Sequence, residues 1–184
     1  MKKLTIALAA AVVLGTTAGA AAQSIGASVE GRVDMAFPTG DYGEEVSPAP
    51  MFTLSGTLWI FPTVGFYGSY SRTVLQVDDS DADFSDEGFS MGLTVALPEW
   101  PGTRLAPWLG AGVLFHHIDF DAGGDLDSDV GFEAAAGVAI PVARRIRLTP
   151  AVGYRSYTTD TDAAGFGQFD ITYFTAGVGL NLSF

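Results

Sequence analysis

Apolar residues alternate with small or polar ones at period 2 through most of the chain, and the pattern runs to the last residue. In the closing segment Phe174, Ala176, Val178, Leu180, Leu182 and Phe184 share one face, and Thr175, Gly177, Gly179, Asn181 and Ser183 the other. The same alternation opens the chain after residue 23: Ile25, Ala27, Val29, Gly31, Val33, Met35 and Phe37 oppose Ser24, Gly26, Ser28, Glu30, Arg32 and Asp34. Between these two segments the pattern predicts six more strands, with apolar faces that begin at Phe52, Val64, Phe89, Leu105, Phe132 and Ile146. Pro107 and Pro150 fall inside two of them, where a residue without an N–H predicts a bulge.

Period 2 leaves open which face is inside, so a soluble barrel with an apolar interior competes with a membrane barrel. The polar face decides between them. It is built mainly of Ser, Thr, Gly and Ala rather than Lys, Glu and Gln, and small residues suit the crowded bore of an eight-stranded barrel. The apolar faces then turn to lipid, which a closed barrel permits because no backbone group is left unpaired. The predicted class is an all-β, eight-stranded, antiparallel up-and-down transmembrane barrel. Its connections alternate: long and acidic after strands one, three, five and seven, short after two, four and six. Asp78 to Glu87 and Asp119 to Asp129 are read as two of the long loops, and Thr158 to Phe169 as another. Phe37, Phe61, Trp100, Phe115, Tyr154 and Phe184 at strand ends are candidates for interfacial girdles.

Residues 1–22 read as a secretory signal: Met1-Lys2-Lys3, an apolar run from Leu4 to Leu14, and Ala20-Ala21-Ala22 before Gln23. The barrel is expected over 23–184. Loss of both lysines with the leader takes the formal charge from −12 to −14. A balance this acidic argues against nucleic acid as a partner. Cysteine is absent, so disulfides and thiolate metal sites are excluded. The acids crowd toward the long-loop end, while Arg104, Arg144 and Arg145 lie at the short turns.

Glu30, Arg32, Asp34, Glu133, Arg147 and Arg155 fall on the small-residue face and are expected to project into the bore. A tight turn at Val142 to Arg145 makes paired positions add to about 286 or 288, which seats Glu133 opposite Arg155 or one step diagonal to it. An internal ion-pair network of Glu30, Arg32, Asp34, Glu133 and Arg155 is therefore expected to plug the bore. His116, His117 and Asp119 form a constellation resembling acid/base machinery, although only one of the two histidines can face inward. Asp119, Asp121, Asp125, Asp127 and Asp129 offer loose binding to divalent cations and lack EF-hand spacing. No motif calls for a catalytic residue, a resident metal or a cofactor.

The eight alternating segments, Phe37-Pro38-Thr39-Gly40-Asp41, Ala106-Pro107-Trp108-Leu109-Gly110-Ala111-Gly112 and the terminal Gly179-Leu180-Asn181-Leu182-Ser183-Phe184 resemble the small eight-stranded outer-membrane barrels, the OmpA transmembrane domain, OmpX and OmpW-like group. The resemblance covers residues 23–184 and departs from OmpA in that no peptidoglycan-binding domain follows Phe184. It implies an integral outer-membrane protein in contact with outer-membrane lipid and lipopolysaccharide, and expected to be a monomer. It also implies that Gly179, Leu180, Leu182 and Phe184 are read by the outer-membrane assembly machinery. The fold hosts many activities, so three functions stay open. They are a structural or surface-interaction role, a narrow porin-like channel, and a lipid-modifying enzyme at the rim.

Overall fold

The computed structural model describes residues 26–40, 46–76, 83–120, 125–127, 129–159 and 169–184. The leader expected over 1–22 and the strand start expected at Ser24 lie outside these residues. The described chain is built of β1 (Gly26–Pro38), β2 (Ala49–Trp59), β3 (Val64–Gln76), β4 (Asp83–Ala96), β5 (Ala106–Phe120), β6 (Asp125–Asp127), β7 (Gly131–Ala143), β8 (Ile146–Thr159) and β9 (Phe169–Ser183). β6 is a three-residue addition paired to the end of β5, and the other eight strands are the ones the alternation predicts.

Every pairing is antiparallel, and the order β4-β3-β2-β1-β9-β8-β7-β5 closes on itself through β4 and β5. First and last long strands therefore meet, with Val33 opposite Val178 and Ser28 opposite Ser183. Closure leaves the eight long strands without a free edge, so the ladder satisfies their backbone donors and acceptors. The connections after β2, β4 and β7 lie at one end, called lower here, and the others at the opposite end; the expected alternation of short and long fails at one place, since residues 97–105 after β4 outnumber residues 77–82 after β3.

Outward positions carry Phe52, Leu54, Met91, Leu93, Leu109, Val152, Val178 and Leu180, all well exposed. Inward positions carry Ser55, Thr57, Ser69, Gly92, Thr94, Gly110, Ala135 and Thr175, which are partly or largely covered. The outward face has an upper aromatic row in which neighbouring rings touch across strands. Tyr70 lies 5.2 Å from Phe89, Tyr154 lies 5.2 Å from Phe174, and Phe132 lies 5.7 Å from Tyr154.

Above that row the alternation continues but its polarity inverts. Outward positions become Arg72, Glu87, His117, Ser156, Thr158, Asp170 and Thr172, with Val74 on β3 still apolar and outward, and inward ones include Leu75, Ile118, Tyr157, Ile171 and Tyr173. This corrects the loop boundaries expected from the sequence. Asp83 to Glu87 belongs to β4, Asp119 and Phe120 to β5, and Phe169 to β9. The acids made these stretches look like loop, yet a strand wall with water outside must put its polar face out and its apolar face in.

The prolines introduce no bulge. Pro107 lies opposite Leu97, one residue beyond the end of β4, and accepts a hydrogen bond from the Leu97 N–H at 2.8 Å. Its missing donor therefore falls outside the ladder. At Pro150 the β7–β8 ladder skips two pairs and resumes in the same register, from Gly137↔Ala151 to Ile140↔Leu148. The register shift of this hairpin lies between Pro141 and Ala143 instead, beside the turn.

Candidate functional site

The bore is the site where the chemistry-bearing side chains converge, and it divides into a polar lower part and a sealed upper part. In the lower part, β1 sends Glu30, Arg32 and Asp34 inward at alternate positions. Arg32 Nη2 lies 2.7 Å from Glu30 Oε1, and Arg32 Nη1 lies 3.6 Å from Asp34 Oδ1. The same guanidinium donates to the Thr149 carbonyl at 3.2 Å and stacks over Trp108 at 5.6 Å from the ring centroid. Asn181 Nδ2 donates to Glu30 from β9 at 3.4 Å.

A second group stands across the bore. Glu133 on β7 is directly opposite Arg155 on β8, and Arg155 Nε lies 3.0 Å from Glu133 Oε2. Tyr67 reaches over from β3 to donate its hydroxyl to Glu133 Oε1 at 2.7 Å. Gly112 makes room for that reach, because a Cβ there would overlap the Tyr67 hydroxyl and the Met91 carbonyl. Arg155 Nη1 donates to Ser71 Oγ at 2.7 Å and points at Met51 Sδ at 3.4 Å. The five residues expected in one network thus form two hydrogen-bonded groups. Arg147 stands exposed at the lower mouth.

Around the first group lies a cavity of about 180 Å³, lined by Ser28, Thr57, Trp59, Tyr67, Thr94, Trp108 and Thr149 among others. Ser28 Oγ, Thr53 Oγ1, Thr149 Oγ1 and Trp108 Nε1 line it without a hydrogen-bond partner among the described residues.

The upper part is packed shut. Ala36, Val46, Ala49, Met51, Leu75, Leu114, Ile118, Tyr157, Ile171 and Tyr173 form a continuous buried cluster. Asp86, 1% exposed, sits within it; it bonds His116 Nδ1 and accepts from Tyr157 at 2.6 Å and Tyr173 at 3.4 Å. The loop role expected for Asp86 is therefore corrected to a buried acceptor, and the plug above the ion pairs is apolar and aromatic. No sequence motif marks Asp86, but its phase does: it shares parity with the inward Gly88 and Ser90.

His116 faces inward and is buried, whereas His117 faces outward opposite Glu87. The histidine pair of the suspected acid/base constellation is thus split across the wall. The Asp119 side chain lies outside the described residues, as do those of Asp121, Asp125 and Asp127, so the divalent-cation reading falls outside them. Among the described residues, no group of three or more His, Cys, Asp or Glu is placed to hold a metal ion. Leu180 and Leu182 on β9, and Phe184 just past it, are exposed, and Gly179 points inward, packed against Thr149 and Glu30.

No protein-family model matches the chain, and no curated protein matches it. Solved structures do. Neisserial surface protein A superposes with a TM-score of 0.71 at 16% identity, covering 86% of this chain and 97% of its own. The chain has the fold of the small eight-stranded outer-membrane barrels. OprG of Pseudomonas aeruginosa matches this barrel at a TM-score of 0.58 and 14% identity, over 88% of this chain and 97% of OprG. Ail, the attachment invasion locus protein of Yersinia pestis, matches at 0.57 and 13%, over 88% and 100%. At such identities the barrel shares architecture with these proteins, and its interior must be read from its own residues.

Proposed function

We propose that this chain is an integral outer-membrane barrel with a structural or surface-interaction role and a bore that does not conduct. The observation that carries the reading is the sealed upper bore, where Leu114 is 0% exposed and Tyr173 is 1% exposed. The Glu133–Arg155 and Glu30–Arg32–Asp34 groups reinforce that seal from below. The outward apolar wall supports placement in lipid, with the inversion above the aromatic row as the outer water boundary. The acidic long-loop end then meets the exterior, in contact with lipopolysaccharide. The outward row from Phe174 to Phe184 is the surface read during assembly. Ail carries attachment in its name, and a surface role here rests on the exposed upper rim rather than on that likeness.

A second reading, a narrow channel for small solutes, draws on the polar cavity and its unpartnered hydroxyls. Planar-bilayer recording separates the two. Insertion of the wild-type barrel without steady conductance is expected, and a steady, porin-sized conductance overturns the plugged reading. The enzymatic alternative gains nothing from histidines on opposite faces of the wall.

A further inference from the structure

Arg104, Arg144 and Arg145 gather at the lower end, and none of them is used by the bore seal. We infer that this arginine arc binds the phosphate groups of anionic phospholipids in the leaflet on that side. The inference rests on the membrane placement proposed above.

The arc is set by topology. Arg104 lies in the β4–β5 turn, Arg144 and Arg145 in the β7–β8 turn, and β5 pairs with β7. The β5–β7 pairing, which runs down to Ala106↔Ala139, sets these two turns side by side on the lower rim. The centres of the two basic turns therefore lie two strand spacings, ~10 Å, apart. The third short turn, from Ile60 to Thr63, carries no charge.

Both basic turns are held in place. Trp100 N–H donates to the Leu105 carbonyl at 3.0 Å, Thr103 Oγ1 donates to the Trp100 carbonyl at 2.9 Å, and Gly102 takes φ 75 to complete the reversal. Across the rim, the Ser183 N–H donates to the Arg145 carbonyl at 2.9 Å. The side chains that remain free are exposed arginines standing beside exposed Trp100, Val142 and Leu148.

Exposed apolar and indole groups next to fixed cations are the composition of a lipid–water interface. A guanidinium fork matches phosphate oxygens in pairs, and each basic residue near an anionic surface is worth about fivefold in affinity. Glu99 is the one acid on these two turns. The upper end, rich in carboxylates, would need bridging divalent cations to hold such headgroups, so direct guanidinium contact is confined to the lower leaflet.

The test uses the full barrel in nanodiscs of phosphatidylcholine mixed with phosphatidylglycerol, with native mass spectrometry counting the lipids retained. Wild type is expected to retain phosphatidylglycerol preferentially, less so at high salt. The combined Arg104→Gln, Arg144→Gln and Arg145→Gln variant, whose changes are confined to exposed turns, is expected to insert normally and lose that preference tenfold or more, on the order expected for three such contacts. Equal retention by inserted wild type, or an unchanged preference in the variant, overturns the inference alone. Loss of the preference on adding inorganic phosphate overturns it as well, since the arc would then recognise phosphate without lipid. Failure of wild type to insert overturns the membrane placement and the inference together.

Discussion

Glu133→Ala leaves the Arg155 guanidinium inside the bore without its carboxylate. The pair is well covered, with side-chain exposures of 9% for Arg155 and 11% for Glu133, so water cannot readily replace the lost partner. Breaking a buried pair from one side costs about 3–5 kcal/mol. Ser71 still accepts from Arg155 at 2.7 Å, which keeps the loss near the low end, about 3 kcal/mol. Tyr67 also loses its acceptor, 2.7 Å away, adding about 1 kcal/mol. The expected destabilisation is therefore about 4 kcal/mol, measured by urea titration of the barrel in vesicles through tryptophan emission. Replacing both partners, Glu133→Ala with Arg155→Met, is expected to cost less than the single change, with a coupling of about 2 kcal/mol. A single-variant cost under about 1 kcal/mol, the value for a solvated surface pair, or a cycle that closes additively, refutes the argument.

Other expectations follow from the same geometry. Gly177→Ala places a methyl group on the Val33 carbonyl and the Asp34 carboxylate, where the first and last strands close; it is expected to cost about 1–3 kcal/mol by the same titration. Leu180→Arg, on the lipid-facing band, is expected to destabilise the folded barrel by about 2–4 kcal/mol, whereas Thr172→Arg, above the aromatic row, costs about 0–1 kcal/mol. Equal penalties at the two sites would argue against the proposed boundary. Opening the upper seal with Leu114→Gly and Tyr173→Ala together is expected to raise bilayer conductance above the wild-type background, and silence in that variant would locate the block elsewhere.

The eight long strands were legible in the chain because a wall with lipid outside and a narrow bore inside forces strict period 2 from Val29 to Phe37 or Phe89 to Leu97. The facing of Glu133 and Arg155 was legible because the turn between β7 and β8 is short enough to set the register. The upper rim is not legible in that way, because apolar residues there turn inward. Above Phe115 the outward positions turn polar, and Ile118, Ile171 and Tyr173 are inward apolar residues. The period itself never breaks there, so a reader following parity rather than polarity would have extended β4 back through Asp86. Asp86 was hidden for the same reason: composition assigns an acid among acids to a loop, and only its parity with Ser90 sends it inward. The prolines gave no bulge for two reasons: the missing donor of Pro107 falls past the end of β4, and at Pro150 the ladder drops two pairs and keeps its register.

The membrane placement is open to one direct measurement. With no native cysteine in the chain, single cysteines can be placed at will and labelled with a nitroxide in reconstituted vesicles. Labels at Leu93, Met91 and Leu180 are expected to collide with oxygen dissolved in lipid, and labels at Glu87, Ser156 and Thr172 with a water-soluble relaxer. The crossover should fall between Phe89 and Glu87 on β4 and between Phe174 and Thr172 on β9. Water contact at Leu93 and Leu180, or lipid contact at Thr172 and Ser156, would contradict a barrel whose apolar wall spans the membrane up to the aromatic row.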